Sequence, residues 1–296
     1  MGAVVEVGSS ALDINGLTAG DPTVEDLLPI YETGAAANRK VLVREMLGLM
    51  RGHIDGLILA NNAGDASNDL DIAAGAAVDS TGAQLMILAS ALTKRLDAGW
   101  TVGTNQGALD TGAEGSSTWY HVWLIMRSDT GVVDVLFSTS ATAPTMPTSY
   151  DFKRRIGSFY NSSGSVITQF SQVGDEFLWD DPPLDVDVAD QSTSSVSRTL
   201  SVPTGVVVWA IVNALAVNAS AARFLYLRSL AANDEAVSNT AAPLCTLCCA
   251  ANVALPNYAG IVRTNTSAQV GTIANGATTT LRIATLGWID ARGRNG

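Results

Sequence analysis

Charge is scarce in this sequence. Lys, Arg, Asp and Glu together make up 15% of 296 residues, against roughly a quarter in ordinary soluble domains. The 17 basic residues are outnumbered by 28 acidic ones, for a net charge of -11. That balance excludes a nucleic-acid partner, because neutralising phosphates needs clustered Lys and Arg. The one basic cluster, Lys153-Arg154-Arg155, reads as a solvated or ion-paired strand edge. Cysteine and histidine are sparse too. Cys245, Cys248 and Cys249 sit together in PLCTLCC, and the only histidines, His53 and His121, are far away in sequence. A closed zinc site needs four ligands, so this run reads as an apolar strand using Cys as a small hydrophobe. Neither a metal nor a cofactor is expected. Three adjacent thiols build no disulfide framework, which fits folding in a reducing cytoplasm.

Long apolar runs are missing as well. Gly205 to Leu227 comes nearest, but Asn213, Asn218 and Arg223 interrupt it short of the roughly 20 residues a helical span needs. No membrane insertion is expected. The opening MGAVVEVGSS lacks the basic region of a secretory signal, and Glu6 spoils a myristoylation match.

What the chain has is strand pattern. The clearest stretch is Trp119 to Phe170. Trp119, His121, Trp123, Ile125 and Arg127 alternate with Tyr120, Val122, Leu124 and Met126, the period of two that places neighbours on opposite faces. Both faces carry bulky apolar groups, so the strand should be buried on both sides. Ser128-Asp-Thr-Gly131 supplies a turn, and Val132–Phe137 returns. Pro144 and Pro147 exclude a central strand between there and Ile156–Tyr160. A second turn, Asn161-Ser-Ser-Gly164, leads to Val166–Phe170.

Around this core the chain divides into four parts. Residues 1–55 read as an arm and docking module. Within it Val43, Met46, Leu47 and Met50 recur at helical spacing, predicting a short helix over 44–51, and Leu27, Leu28 and Tyr31 form a second apolar group. Residues 56–180 read as a β-rich middle domain with strands at Ile72–Val78, Leu85–Leu92 and Trp100–Val102, and a charged interruption at Thr93–Leu96. Residues 181–192, with two prolines and five Asp from Asp180 onward, read as a stiff acidic linker. Residues 193–296 predict a β-sandwich or jelly-roll-like domain. Its Gly205–Ala216 run suggests a strand buried on both faces, and Trp288 a core or inter-chain anchor.

Several segments carry a family resemblance. They are DLLPIYETGAAANRKV (26–41), DLDIAAGAAVDSTGA (69–83), LTKRLDAGWTVGTNQGALDTG (92–112) and YHVWLIMRSDTGVVDVLFSTSATAPTMPTSYDFKRRIGS (120–158). Together they resemble a recurrent segment of tailed-bacteriophage tail-fibre and tail-appendage virion proteins, over residues 26–180. The LRIATLGWIDARGR ending is similar to C-terminal fibre domains. The resemblance implies a β-rich homotrimer assembled in the host bacterial cytoplasm and displayed on the virion. Other virion proteins would bind its N-terminal region, where the apolar groups Leu27, Leu28, Tyr31, Val43, Met46, Leu47 and Met50 are the candidates for docking to another subunit or to the virion. It supplies no catalytic residues.

Three roles stay open. The first is attachment to a host-surface glycan or protein, with avidity from several copies; polar turn tips at Asn233, Asp234, Glu235, Asn257 and Tyr258 are then the candidate receptor contacts. The second is an architectural capsid-decoration or baseplate component. The third is a glycan-degrading tailspike, which would need two facing carboxylates. Asp134, Asp151 and Glu176 carry no such signature. A Ser-His-Asp site could use only His53 or His121, and His121 between two tryptophans reads as a packed core residue. No enzyme activity is expected.

Overall fold

The computed structural model describes residues 27–30, 39–42, 50–253 and 255–294, with side chains for 50–253 and 258–294. All twenty-two regular elements among them are strands, and no helix occurs there. The mainly β class holds. The expected helix lies outside the described residues except for Met50 and Arg51, which form a turn. In the N-terminal stretch, β1 (Leu27–Ile30) and β2 (Arg39–Leu42) pair as an antiparallel hairpin.

Ten strands follow in the middle of the chain. They are β3 (Ile54–Gly56), β4 (Leu59–Asn61), β5 (Asp69–Ile72), β6 (Gly75–Val78), β7 (Leu85–Leu88), β8 (Leu92–Gly99), β9 (Gln106–Leu109), β10 (Thr118–Arg127), β11 (Val133–Ser138) and β12 (Tyr150–Asn161). Seven form one sheet in the order β12-β10-β11-β9-β8-β5-β4, and β3-β6-β7 form a smaller one. Strand β10 carries the alternation its sequence suggested. Tyr120, Val122, Leu124 and Met126 enter the main core, while Trp123 and Ile125 enter a second cluster with Leu136 and Tyr150. Gly131, at φ +71°, closes the turn into β11 with a backbone that L-residues disfavour.

Two readings of this region are corrected. Thr93–Leu96 does not interrupt the strands but lies inside β8, and Trp100–Val102 is loop. Lys94 is fully buried. Its ammonium pairs with Asp134 at 3.1 Å and donates to the carbonyls of Thr101 (2.8 Å) and Gly103 (3.2 Å). A sequence window sees the charge but not the carbonyls that satisfy it.

The rest of the chain adds β13 (Phe170–Val173), β14 (Glu176–Trp179), β15 (Leu184–Val188), β16 (Val196–Thr199), β17 (Trp209–Val217), β18 (Arg223–Arg228), β19 (Leu247–Cys249), β20 (Leu255–Arg263), β21 (Gln269–Ala274) and β22 (Thr280–Ile289). One sheet runs β13-β14-β22-β17-β20, with β15 also on β22; the other runs β16-β21-β18-β19. Ala210, Val212, Ala214, Ala216 and Ile283 of the first share a core with Leu225, Leu247 and Val270 of the second, a β-sandwich-like packing of two layers. Gly287 lets β14 approach β22: a Cβ there would lie 2.0 Å from the Phe177 carbonyl oxygen.

The acidic stretch 181–192 is not a bare linker. It contains β15, paired with Leu281–Ala284. The Asp185 carboxylate accepts from the Ser201 amide (2.7 Å) and hydroxyl (2.6 Å) and from the Thr285 hydroxyl. Leu-Asp-Val-Asp-Val has strand period as well as charge, and here pairing with β22 outweighs the acidic composition.

Middle and C-terminal strands share one core. Trp119 of β10 meets Trp288 of β22 edge-on at 5.4 Å, and Phe177 and Trp179 of β14 pack on the same indole at 5.0 and 4.9 Å. Trp288 is therefore a core anchor. Beside it Arg155 of β12 grips Asp290 through two hydrogen bonds of 2.6 Å. The basic cluster on β12 is on an edge strand, as expected, but only Lys153 keeps partial exposure. Arg154 and Arg155 are 2% and 6% exposed, so the solvated reading fails for both.

Candidate functional site

Strand β17 alternates small residues inward with large ones outward. Ala210, Val212, Ala214 and Ala216 are buried, whereas Trp209, Ile211, Asn213 and Leu215 point to the other side. The expectation of burial on both faces fails. The outer residues line up across the sheet: Ile211 stands opposite Ile261 and Asn213 opposite Ala259 on β20. On β22, Asn213 faces Ala284 and Leu215 faces Arg282. Leu184 of β15 extends the row beside Ala284. Leu184 is 55% exposed, Ile261 47% and Trp209 45%. Isolated exposed apolar residues are ordinary, but a contiguous bare patch marks an interaction surface.

A groove of about 430 Å³ crosses this face between Leu184, Asn213, Leu215, Tyr258 and Arg282. Its charges balance. Arg263 stands opposite Trp209 and Glu176 opposite Ile289, while Arg282 pairs with Asp187 at 2.9 Å in the open. Two cations therefore meet two anions, in a chain of net charge -11. Strand β20 is the last strand of its sheet, so the face ends in an unpaired edge.

The candidate contact residues fall on separate elements. Asn233, Asp234 and Glu235 lie in an exposed loop after β18, where Asp234 pairs with Arg228 at 2.9 Å. Asn257 and Tyr258 lie within β20 rather than on a turn tip. The Tyr258 hydroxyl donates to the Ile261 carbonyl at 2.9 Å. The loop follows β18 of one sheet whereas β20 belongs to the other, and of these five residues only Tyr258 lines the groove. Among the docking candidates, Leu27 and Leu28 stand in β1 and Met50 is exposed in its turn. Tyr31, Val43, Met46 and Leu47 lie outside the described residues.

One serine, histidine and aspartate do come together, in the interior. His121 Nδ1 is 2.9 Å from the Ser158 hydroxyl, which is 3.2 Å from Arg155, and Arg155 holds Asp290. The arrangement differs from a hydrolytic triad. Asp290 bonds the guanidinium rather than the imidazole, and Ser158, His121 and Asp290 are 0%, 1% and 1% exposed. Burial, then the Arg155 charge, pushes the His121 pKa down to about 3, so its ring is neutral. This is an internal polar network. Among the described residues no group of three or more His, Cys, Asp or Glu could hold a metal ion. Cys245 is half-buried, Cys248 exposed and Cys249 buried, all as free thiols.

No family model, no curated protein and no solved structure matches the chain.

The outward face escaped the sequence reading although its signal was present. Large residues at 209, 211 and 215 alternate with alanines at 210, 214 and 216. Small side chains packed inward and large ones outward are the reverse of an ordinary half-exposed strand.

Proposed function

We propose that this chain is a structural protein of a tailed-phage virion, a homotrimeric tail fibre or appendage that contributes to host-surface attachment. The observation that carries the reading is the bare apolar face around Trp209, Ile261 and Leu184, which a second copy of the chain would cover. Four strand widths at about 4.8 Å and nine residues at about 3.3 Å give a flat footprint approaching 600 Å². Side-chain relief enlarges that area toward the roughly 800 Å² per partner of a stable interface. The balanced charge of the face removes local repulsion between copies of an acidic chain. The segment resemblance over 26–180 supports the virion setting and the threefold number. The same face serves an architectural baseplate or capsid component equally well, and adsorption separates the two roles.

Light scattering on the purified chain tests assembly. The wild type should run as a trimer, and Trp209→Glu with Ile261→Glu as a folded single chain. A wild type that stays monomeric at every concentration rejects the assembly. Purified protein that fails to compete with particles for host cells leaves the architectural role.

A further inference from the structure

We propose that a trough around Trp100, on the outer side of the seven-stranded sheet, binds a neutral oligosaccharide. Two hollows of about 440 and 550 Å³ adjoin there, and Trp100 and Pro147 line both. The floor is rigid. The Trp100 indole N–H donates to the Val135 carbonyl at 3.1 Å, and the Tyr150 ring meets it edge-on at 5.0 Å. Behind them the second hydrophobic cluster fixes Tyr150 against Trp123, Ile125 and Leu136. A floor built this way holds its shape before any ligand arrives, which lowers the ordering cost of binding.

The lining alternates apolar and hydrogen-bonding groups. Val102 and Val132, 51% and 42% exposed, bare apolar surface in the second hollow, among the Thr130 and Thr148 side chains. In the first, Asp110 accepts the Thr145 amide through one oxygen at 2.9 Å and the Thr111 hydroxyl through the other at 3.4 Å, and carboxylate lone pairs remain on both for further donors. A ligand matching this surface presents C–H faces to Trp100 and the two valines and hydroxyls to the carboxylate and threonines. A sugar ring has both. Two hollows in series suit an oligomer rather than a single ring. The Arg127 guanidinium in the trough is already held by Asp129 at 2.8 and 2.6 Å, and the chain is strongly acidic. Neutral sugars are therefore favoured over polyanionic ones.

The site is independent of self-association, since Val102 and Val132 belong to the middle sheet region and Trp209 and Ile261 to the sandwich. Titration calorimetry of the full chain with maltohexaose, cellohexaose and chitohexaose tests it. At least one should bind saturably, with tenfold or greater weakening in Val102→Arg and Val132→Arg, about 1.4 kcal/mol. These exposed positions should leave the melting temperature unchanged, so lost binding would not report lost folding. Trp100→Phe, which removes the indole N–H but keeps an aromatic floor, should retain part of the affinity. The assignment is overturned by the absence of saturable binding for all three sugars up to about 10 mM. Binding that both arginine variants leave intact also overturns it, as does a polypeptide or second copy occupying the trough in place of sugar.

Discussion

Strands β10 and β17 look alike on paper. One has ten residues and the other nine, both are dominated by Trp, Val, Ile, Leu and Ala or Tyr, and each has a single strongly polar interior residue, His121 or Asn213. The structure treats them differently. Strand β10 is covered on both faces, by the main core on one side and by Trp288, Asp290 and the second cluster on the other. Strand β17 is covered only on its alanine and valine side. Its polar residue is exposed, whereas His121 is sealed with Ser158. An interior polar residue with an internal partner accompanies a finished strand here, and one without accompanies a strand whose outer side stays open. The finished half should respond to changes in its polar network, the open half to protein concentration.

The largest expected effect is on the finished half, in acid. The folded-state pKa of His121 is about 3 against an ordinary 6.5. Between those values the unfolded chain binds a proton that the folded chain refuses. The stability from neutral His121 is therefore fully present above pH 6.5 and is lost as pH falls toward 3, a full swing of about 5 kcal/mol. Asp290 acts in the same direction. Burial pushes its carboxyl up, but the Arg155 charge and hydrogen bonds and the Arg292 amide outweigh burial and hold it below the usual value. Its contribution is present above the ordinary carboxylate range and disappears as pH falls through the lowered pKa. In NMR, the His121 ring signals should not titrate between pH 7 and about pH 4 while the protein stays folded. A normal titration near 6.5 would show that the network is open to water.

Next comes the ion pair within that network. Asp290→Ala leaves the Arg155 guanidinium buried without its anion, and should lower unfolding stability by about 3–5 kcal/mol. Replacing both partners, Arg155→Met with Asp290→Leu, should recover much of that loss, because neither charge is then stranded. Urea melts of Asp290→Ala, of Arg155→Met and Asp290→Leu singly, and of the double measure it. A loss under about 1 kcal/mol for Asp290→Ala would mean that water already reaches the pair.

Much of the scaffold is legible in the residues. The β class, the strand from Trp119 to Arg127, its turn at Gly131 and the burial of Trp288 follow from period two, turn chemistry and bulk. Three things were hidden, for identifiable reasons. Lys94 and Asp185 read as surface charges because their partners come from other strands or loops. Strand β15 was masked by its carboxylates. The hairpin of Phe170–Val173 and Glu176–Trp179 was missed because its strands are only four residues each. The open face of β17 could have been read from large residues set against alanines, but apolar bulk on both sides suggested double burial instead. The Trp100 trough had no linear signature, since its walls come from four separate loops and the ends of the strands beside them.

The smallest effect is the one that separates the two strands most directly. Leu124 is fully buried in β10, and Leu124→Ala should cost about 2–5 kcal/mol, whatever the protein concentration. Ile261, nearly half exposed opposite Ile211, should cost under about 1 kcal/mol as Ile261→Ala in the dissociated chain, because little apolar area leaves a packed site. As concentration rises the Ile261→Ala penalty should grow, since the wild type then gains stability from association and the variant gains less. Thermal melts across a hundredfold dilution series would reveal this divergence. Parallel dilution curves for both variants and the wild type would mean that nothing covers the outer face of β17, and the difference between the two strands would reduce to ordinary surface exposure.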